Sequence, residues 1–138
     1  MSWSNPGAYW TEEQLEKEKT MADLAYLETL NEYMDEARKT ASWNVEQAKN
    51  PIIYCTLGLV GEAGEFADKI KKTIRGDKDI TDPLVRGDLM LELGDSLWYL
   101  VNAAYELGFT LQDIAEANIN KLRSRAERGV LKADGDHR

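Results

Sequence analysis

The sequence is short of the side chains on which much enzyme chemistry depends. Its 138 residues include one cysteine, Cys55, and one histidine, His137. A single cysteine excludes an internal disulfide. Cys55 lies in an apolar stretch without a basic or histidine neighbour, so it reads as a buried structural thiol rather than a nucleophile. A single histidine excludes Cys/His zinc sites, di-iron bundles with paired Glu-x-x-His motifs and phosphohydrolases built on several histidines. Basic residues are outnumbered, 17 against 25 acidic ones, for a net charge of −8. Duplex nucleic acid is therefore not an expected partner, because neutralising phosphates needs a basic face. No apolar run approaches the roughly 18–20 residues of a membrane span. The first residues, MSWSNPGAYWTEEQ, have neither the basic nor the apolar region of a secretory signal. A cytoplasmic protein is expected, in the host cytoplasm if the chain is viral.

Hydrophobic residues make up 43% and charged residues 30%. That globular mix disfavours disorder, collagen and coiled-coil arrays. The length suits one domain, 1–138, with a core over 21–128 and a polar tail over 129–138. No repeat or low-complexity segment interrupts it.

The punctuation marks helix starts. Thr11 and Gln14 fit a capping box. The helix that follows is predicted over about 12–40, broken near Lys19–Met21, with Leu24, Leu27, Leu30 or Asn31, Met34 and Ala37 inward. Asn50-Pro51 opens a second helix that ends near Arg75-Gly76-Asp77, with Asn as cap and Pro at the first position. Residues 52–60 would also suit a buried strand, but the helical period continues through Phe66, Ala67, Ile70 and Ile74. Asp82-Pro83 opens a third helix to about 107, with Leu93, Leu97, Leu100, Val101 and Ala104 as its core stripe. Gly108 ends it. Thr110 and Asp113 form a variant capping box for a fourth helix to about 128, with Leu111, Ile114, Ala115, Ala117 or Asn118 and Leu122 inward. The expected architecture is all-α, a bundle of four to five helices.

Two acidic pairs stand out on these helices. Glu62 and Glu65 lie on the second, Glu92 and Asp95 on the third. Spacing of three residues puts each pair on one helix face, one turn apart, where like charges repel by a few tenths of a kcal/mol. Gly61, Gly64 and Gly94 lie beside them inside predicted helices, each costing up to about 1 kcal/mol relative to alanine. Absent side chains there let a second backbone or a ligand approach. If the helices are antiparallel neighbours, four carboxylates face one another, an arrangement that a hard divalent cation with oxygen ligands stabilises. Asn118, Lys121 and Arg125 share a face of the last helix, and Lys69, Lys71 and Lys72 follow the first acidic pair. Cations aimed at a carboxylate–metal centre imply anionic oxygens between them, as in phosphate.

Glu62-x-x-Glu65, twenty-six intervening residues and Glu92-x-x-Asp95 resemble the signature of the MazG-like all-α NTP pyrophosphohydrolases. The wording agrees too, in LGLVGEAGEFADKIKK and ELGDSLWYLVNAAYELGFTLQDIAEANINKLRSR. The resemblance is firm over about 50–128 and loose over 21–49. It implies Mg²⁺-dependent cleavage of a nucleoside triphosphate to monophosphate and pyrophosphate, with Mn²⁺ able to substitute. Glu62, Glu65, Glu92 and Asp95 would be the metal ligands. Asn118, Lys121 and Arg125 would face the phosphates, with Lys121 and Arg125 stabilising the leaving pyrophosphate. Some members carry a further Glu, a candidate general base, where this chain has Gly61. Either the metal activates water largely unaided or one of the four carboxylates, Glu65 first, also serves as base. Members of the family usually assemble, so a homodimer or homotetramer built on helix–helix interfaces is expected.

For the nucleobase, Trp43 and Asn44 offer a stacking ring and an amide, and Tyr99 and Asn102 follow Asp95 on the motif face. Trp98 reads as core packing, and Trp3 and Trp10 as contacts to the bundle or to a partner subunit. Two other readings remain open at this point. One keeps the fold and changes the substrate, to phosphoribosyl-ATP or a modified or alarmone nucleotide. The other is a non-catalytic bundle that binds nucleotide or protein.

Overall fold

The computed structural model describes residue 27, residues 29–43 and residues 50–129. Four helices run through these residues: α1 Leu30–Lys39, α2 Pro51–Ile74, α3 Pro83–Glu106 and α4 Leu111–Glu127. No strand occurs among the described residues, so the β-like run at 52–60 is helix.

The helix ends follow local chemistry. Asp82 caps α3, its Oδ1 accepting from the Leu84 amide at 2.9 Å. Thr110 and Asp113 form the expected reciprocal box, with hydrogen bonds of 3.1 and 2.9 Å. Gly108 takes the turn after α3 with φ of 78°, a left-handed conformation that suits glycine. Asn50 stands at the N-cap of α2 with Pro51 behind it, but its side chain makes no capping bond. Its carbonyl instead accepts from the amides of Ile53 and Tyr54.

The first predicted helix needs correction. Thr29 and Glu32 cap each other, with hydrogen bonds of 3.1 and 2.9 Å, so a helix begins at Leu30 and does not run through from 12. The apolar period across Leu27 and Leu30 continued over this boundary. Both residues are exposed, whereas Met34 and Ala37 are buried. Trp3, Trp10, the Thr11–Gln14 box, Leu24, Asn44 and the tail beyond Gly129 lie outside the described residues.

The strongest pairing is α2 against α3. It is antiparallel, since Gly58 meets Tyr99 while Lys69, further along α2, meets Glu92, further back along α3. Helix α1 lies across the C-terminal half of α3, and α4 packs on α1 and more sparsely on α3. Met34, Ala37, Val101 and Leu111 form the core where these three meet, backed by Tyr33, Trp98 and Leu100. The predicted α3 stripe is therefore buried only at its end. Val101 and Ala104 are inside, while Leu93 and Leu97 are 54% and 37% exposed. The α4 stripe shows the same limit, with Leu111 buried and Ile114 and Leu122 exposed. On α2, Phe66 and Ile70 are half-buried and Ile74 is exposed.

A polar contact ties α1 to α3. Arg38 Nη1 donates to Asn102 Oδ1 at 2.9 Å and to Glu106 Oε1 at 3.3 Å. Its guanidinium also lies over Tyr105, 3.9 Å from the ring centroid. Asn102 is fully buried, and its Nδ2 donates to the Trp98 carbonyl at 2.8 Å. Arg38→Ala would leave the Asn102 oxygen without this donor. A loss of about 1–3 kcal/mol is expected, read as a fall of about 2–4 °C in Tm per kcal/mol. An unchanged Tm would show that the contact holds nothing.

Candidate metal and nucleotide site

Five residues of α2 fall on one helical face at steps of three and four: Tyr54, Gly58, Glu62, Glu65 and Lys69. This face looks at α3. One carboxylate oxygen each from Glu62, Glu65 and Glu92 lies within 4.8 Å of the others. Two rods thus bring three of the four predicted acids together. Glu92 is buried, Glu62 half-buried and Glu65 exposed.

Asp95 is exposed and stands outside that trio, yet its charge reaches it. Burial first, then Asp95, Glu65 and Glu92 in turn, hold the Glu62 carboxyl above its usual range. Asp95 also acts on Tyr33 of α1, whose phenol is raised first by burial and then by that charge. The cluster lacks histidine and thiol donors, so its chemistry is that of hard oxygen ligands. Such a set fits Mg²⁺ or Mn²⁺ and fits poorly with soft metals.

Cationic partners sort themselves by helix register. Lys69 Nζ pairs with Glu92 Oε1 at 2.8 Å across the two helices. Lys71 and Lys72 instead pair with Asp68 on their own helix. Hydrogen bonds from those two lysines draw the Asp68 carboxyl down to about 2. Of the three lysines expected near the acids, Lys69 alone is bonded to one of them.

The glycines also divide. A methyl group placed on Gly61, Gly64 or Gly94 would meet nothing within 4 Å. They do not bring two backbones together; they leave the surface open to solvent or ligand. The close approach belongs to Gly58, where an added methyl would collide with the Tyr99 ring.

Beyond Gly58 lies an aromatic group. Tyr54 and Tyr99 stand 6.1 Å apart, Trp43 and Tyr54 5.5 Å, and Trp98 and Tyr99 4.8 Å. Arg38 is 5.2 Å from the centre of the Trp43 ring. Burial, then the hydrogen bond with Tyr54, pushes the Tyr99 phenol up to about 12, and the charge of Glu62 adds to the shift. Tyr99 therefore adjoins both the aromatic group and the acids. Asn102 differs from the expectation of an amide facing a base, since it is buried and each end of its amide has a protein partner. Trp98 packs on the core, as expected, and donates from Nε1 to Thr40 Oγ1 at 2.8 Å. Cys55 is fully buried, and burial raises its thiol above the usual range.

On α4, Asn118 and Lys121 are exposed and Arg125 is half-buried. A groove of about 340 Å³ beside Glu65 is lined by Gly61, Gly64, Glu65, Asp68, Lys69 and Lys72, all of them on α2. Sequence reasoning missed Tyr54 and underrated Lys69. The signal was the unbroken stepping from 54 to 69 along one face.

Residues 53–130 match the MazG nucleotide pyrophosphohydrolase domain. The chain belongs to that family. The match spans both acidic pairs and all of α3 and α4, and the family is metal-dependent. This MazG chain is also 46% identical over 85 residues to the "Gene 37 protein" of Mycobacterium phage L5, covering 62% of this chain and 75% of that one. No solved structure matches. No described helix of the MazG chain is long and apolar enough to cross a membrane.

Proposed function

We propose that the protein is a cytoplasmic Mg²⁺-dependent nucleoside triphosphate pyrophosphohydrolase, converting (d)NTP and water to (d)NMP and pyrophosphate. The observation that supports this most is the meeting of Glu62, Glu65 and Glu92 oxygens within 4.8 Å inside a MazG domain. In this reading those three and Asp95 hold the metal, and Mn²⁺ substitutes for Mg²⁺. When bound, the metal spreads the charge that develops at the α-phosphate and lowers the pKa of water.

The chain's own groups do the rest. Glu92 is committed to Lys69 and buried, and Glu62 is crowded by three like charges. Glu65, exposed beside Gly61, is the carboxylate best placed to take a proton from the attacking water. Trp43 and Tyr99 offer ring faces to the base, with Asn44 as a further polar contact and Asn102 bracing the pocket from behind. Asn118, Lys121 and Arg125 act on the phosphates, the two cations steadying the departing pyrophosphate.

The test is incubation with Mg²⁺ and each common NTP and dNTP, with products identified by mass. Monophosphate plus pyrophosphate is expected. Diphosphate plus phosphate, or no product from any nucleotide including phosphoribosyl-ATP and alarmones, would reject the reading. Lys121→Ala is expected to lower kcat/KM by about tenfold or more, the worth of one charge-assisted hydrogen bond. An unchanged value in steady-state kinetics would dismiss Lys121 as surface charge.

We propose also that the protein is a homodimer or homotetramer. Ile53, Leu57 and Val60 form a stripe on α2 and are 56%, 68% and 67% exposed. An apolar cleft of about 560 Å³, lined partly by Phe66, Ile70, Ile80 and Leu93, opens between α2 and α3. Exposed apolar surface of this kind supports a protein interface. Light scattering coupled to size exclusion should give a dimer or tetramer mass, and a strict monomer at micromolar concentration would overturn the assembly.

A further inference from the structure

Lys69 is a cation placed inside a site that calls for cations. Its ammonium lies 2.8 Å from Glu92 Oε1, with the Glu92 side chain 11% exposed and that of Lys69 30% exposed. Glu92 is also one of the three acids whose oxygens converge. An ammonium and a divalent ion therefore contend for one carboxylate, and at such range they repel each other. Lys71 and Lys72 have no such conflict, because Asp68 holds both of them.

The Lys69 side chain has somewhere to go. It lines the groove of about 340 Å³ beside Glu65, whose floor at Gly61 and Gly64 carries no side chain. A lysine stem is long, flexible and compact at its head, so it changes partners without moving the backbone. A phosphate oxygen in that groove would be a charged partner in place of Glu92.

We propose that Lys69 is an exchangeable internal cation: it neutralises Glu92 until a metal–polyphosphate complex arrives, then passes to a phosphate oxygen in the α2 groove. This rests on the metal-centre reading above and adds to it a substrate-binding residue on α2, distinct from the cations of α4. No bond is made or broken in the exchange; one ion pair replaces another.

The consequence is a pair of effects with opposite signs. Lys69→Met removes the competing charge and keeps the aliphatic stem. Mn²⁺ binding to the nucleotide-free protein, followed by electron paramagnetic resonance, is expected to tighten by about tenfold. Binding of inorganic pyrophosphate at saturating Mn²⁺ is expected to weaken by about tenfold, because its cationic partner is gone. Lys69→Arg keeps the charge and should return both values close to those of the unaltered protein. A purely structural lysine would weaken both together. If the unaltered protein binds Mn²⁺ and Lys69→Met binds it equally or less tightly, the exchange is overturned. Unweakened pyrophosphate binding in that variant overturns it as well. If the unaltered protein binds no Mn²⁺, the metal-centre reading itself falls, and this one with it.

Discussion

Glu65→Ala should abolish pyrophosphate release while leaving the helices intact, and Asp95→Ala should do the same. The effect is large because carboxylates that hold a metal act as a set. Removing outer partners of a metal costs about 10–100-fold, and losing a direct ligand costs more, about a thousandfold or beyond. The fold is expected to tolerate both changes. Glu65 and Asp95 are exposed, and each stands among like charges, so deletion relieves repulsion instead of opening a cavity. Circular dichroism should therefore match the unaltered protein. Metal-induced stabilisation gives a second readout. An ion at a hundred times its Kd stabilises by about 2.7 kcal/mol, and that gain in Tm should shrink in both variants. Near-normal turnover in either one would show that the ligand set is wrong.

The second large effect separates glycines that look alike. Gly58, Gly61 and Gly64 all lie in the interior of α2. Alanine in an exposed helix interior gains up to about 1 kcal/mol over glycine. Gly61→Ala and Gly64→Ala meet open space, so each should raise Tm. At Gly58 the same methyl collides with Cε1, Cδ1 and Cζ of Tyr99. Tyr99 has little freedom to yield, because Trp98 stands edge-on to it at 4.8 Å and Tyr54 flanks it at 6.1 Å. Overpacking of this kind costs about 1–3 kcal/mol. Gly58→Ala should thus lower Tm and, by displacing a ring of the proposed base pocket, raise KM. A Tm increase at Gly58 equal to that at Gly61 would mean that the α2–α3 spacing adjusts freely.

Much of this was legible in the residues, and the failures have causes. Pro51 and Pro83 fixed the starts of α2 and α3, since proline favours the first helical turn and no later one. That acids from both helices would meet could be read because helical phase is rigid over one turn, and Glu62, Glu65 and Glu92 do converge while Asp95 stands outside them. Periodicity tells which face of a helix is apolar but not how much of its length another element covers. Leu93 and Leu97 share a stripe with Val101, yet Val101 alone of these three is buried. At Thr29 the reading failed differently. The Thr29–Glu32 box was present in the sequence, but the apolar steps ran across it and hid the boundary. Asn102 shows a third limit. An amide buried against Arg38 and one aimed at a base look the same in a sequence, and only the tertiary contact distinguishes them.

The stepped face of α2 has one more consequence. From Tyr54 to Lys69 it runs about 22 Å at the helical rise per residue. Along that length it changes from aromatic to anionic to cationic. In the proposed reading a nucleotide has one favourable polarity on this scale, base toward Tyr54 and terminal phosphate toward Lys69. Mono-, di- and triphosphates would then differ in how far along it they extend, and phosphate-chain length becomes a distance measured on a single rod.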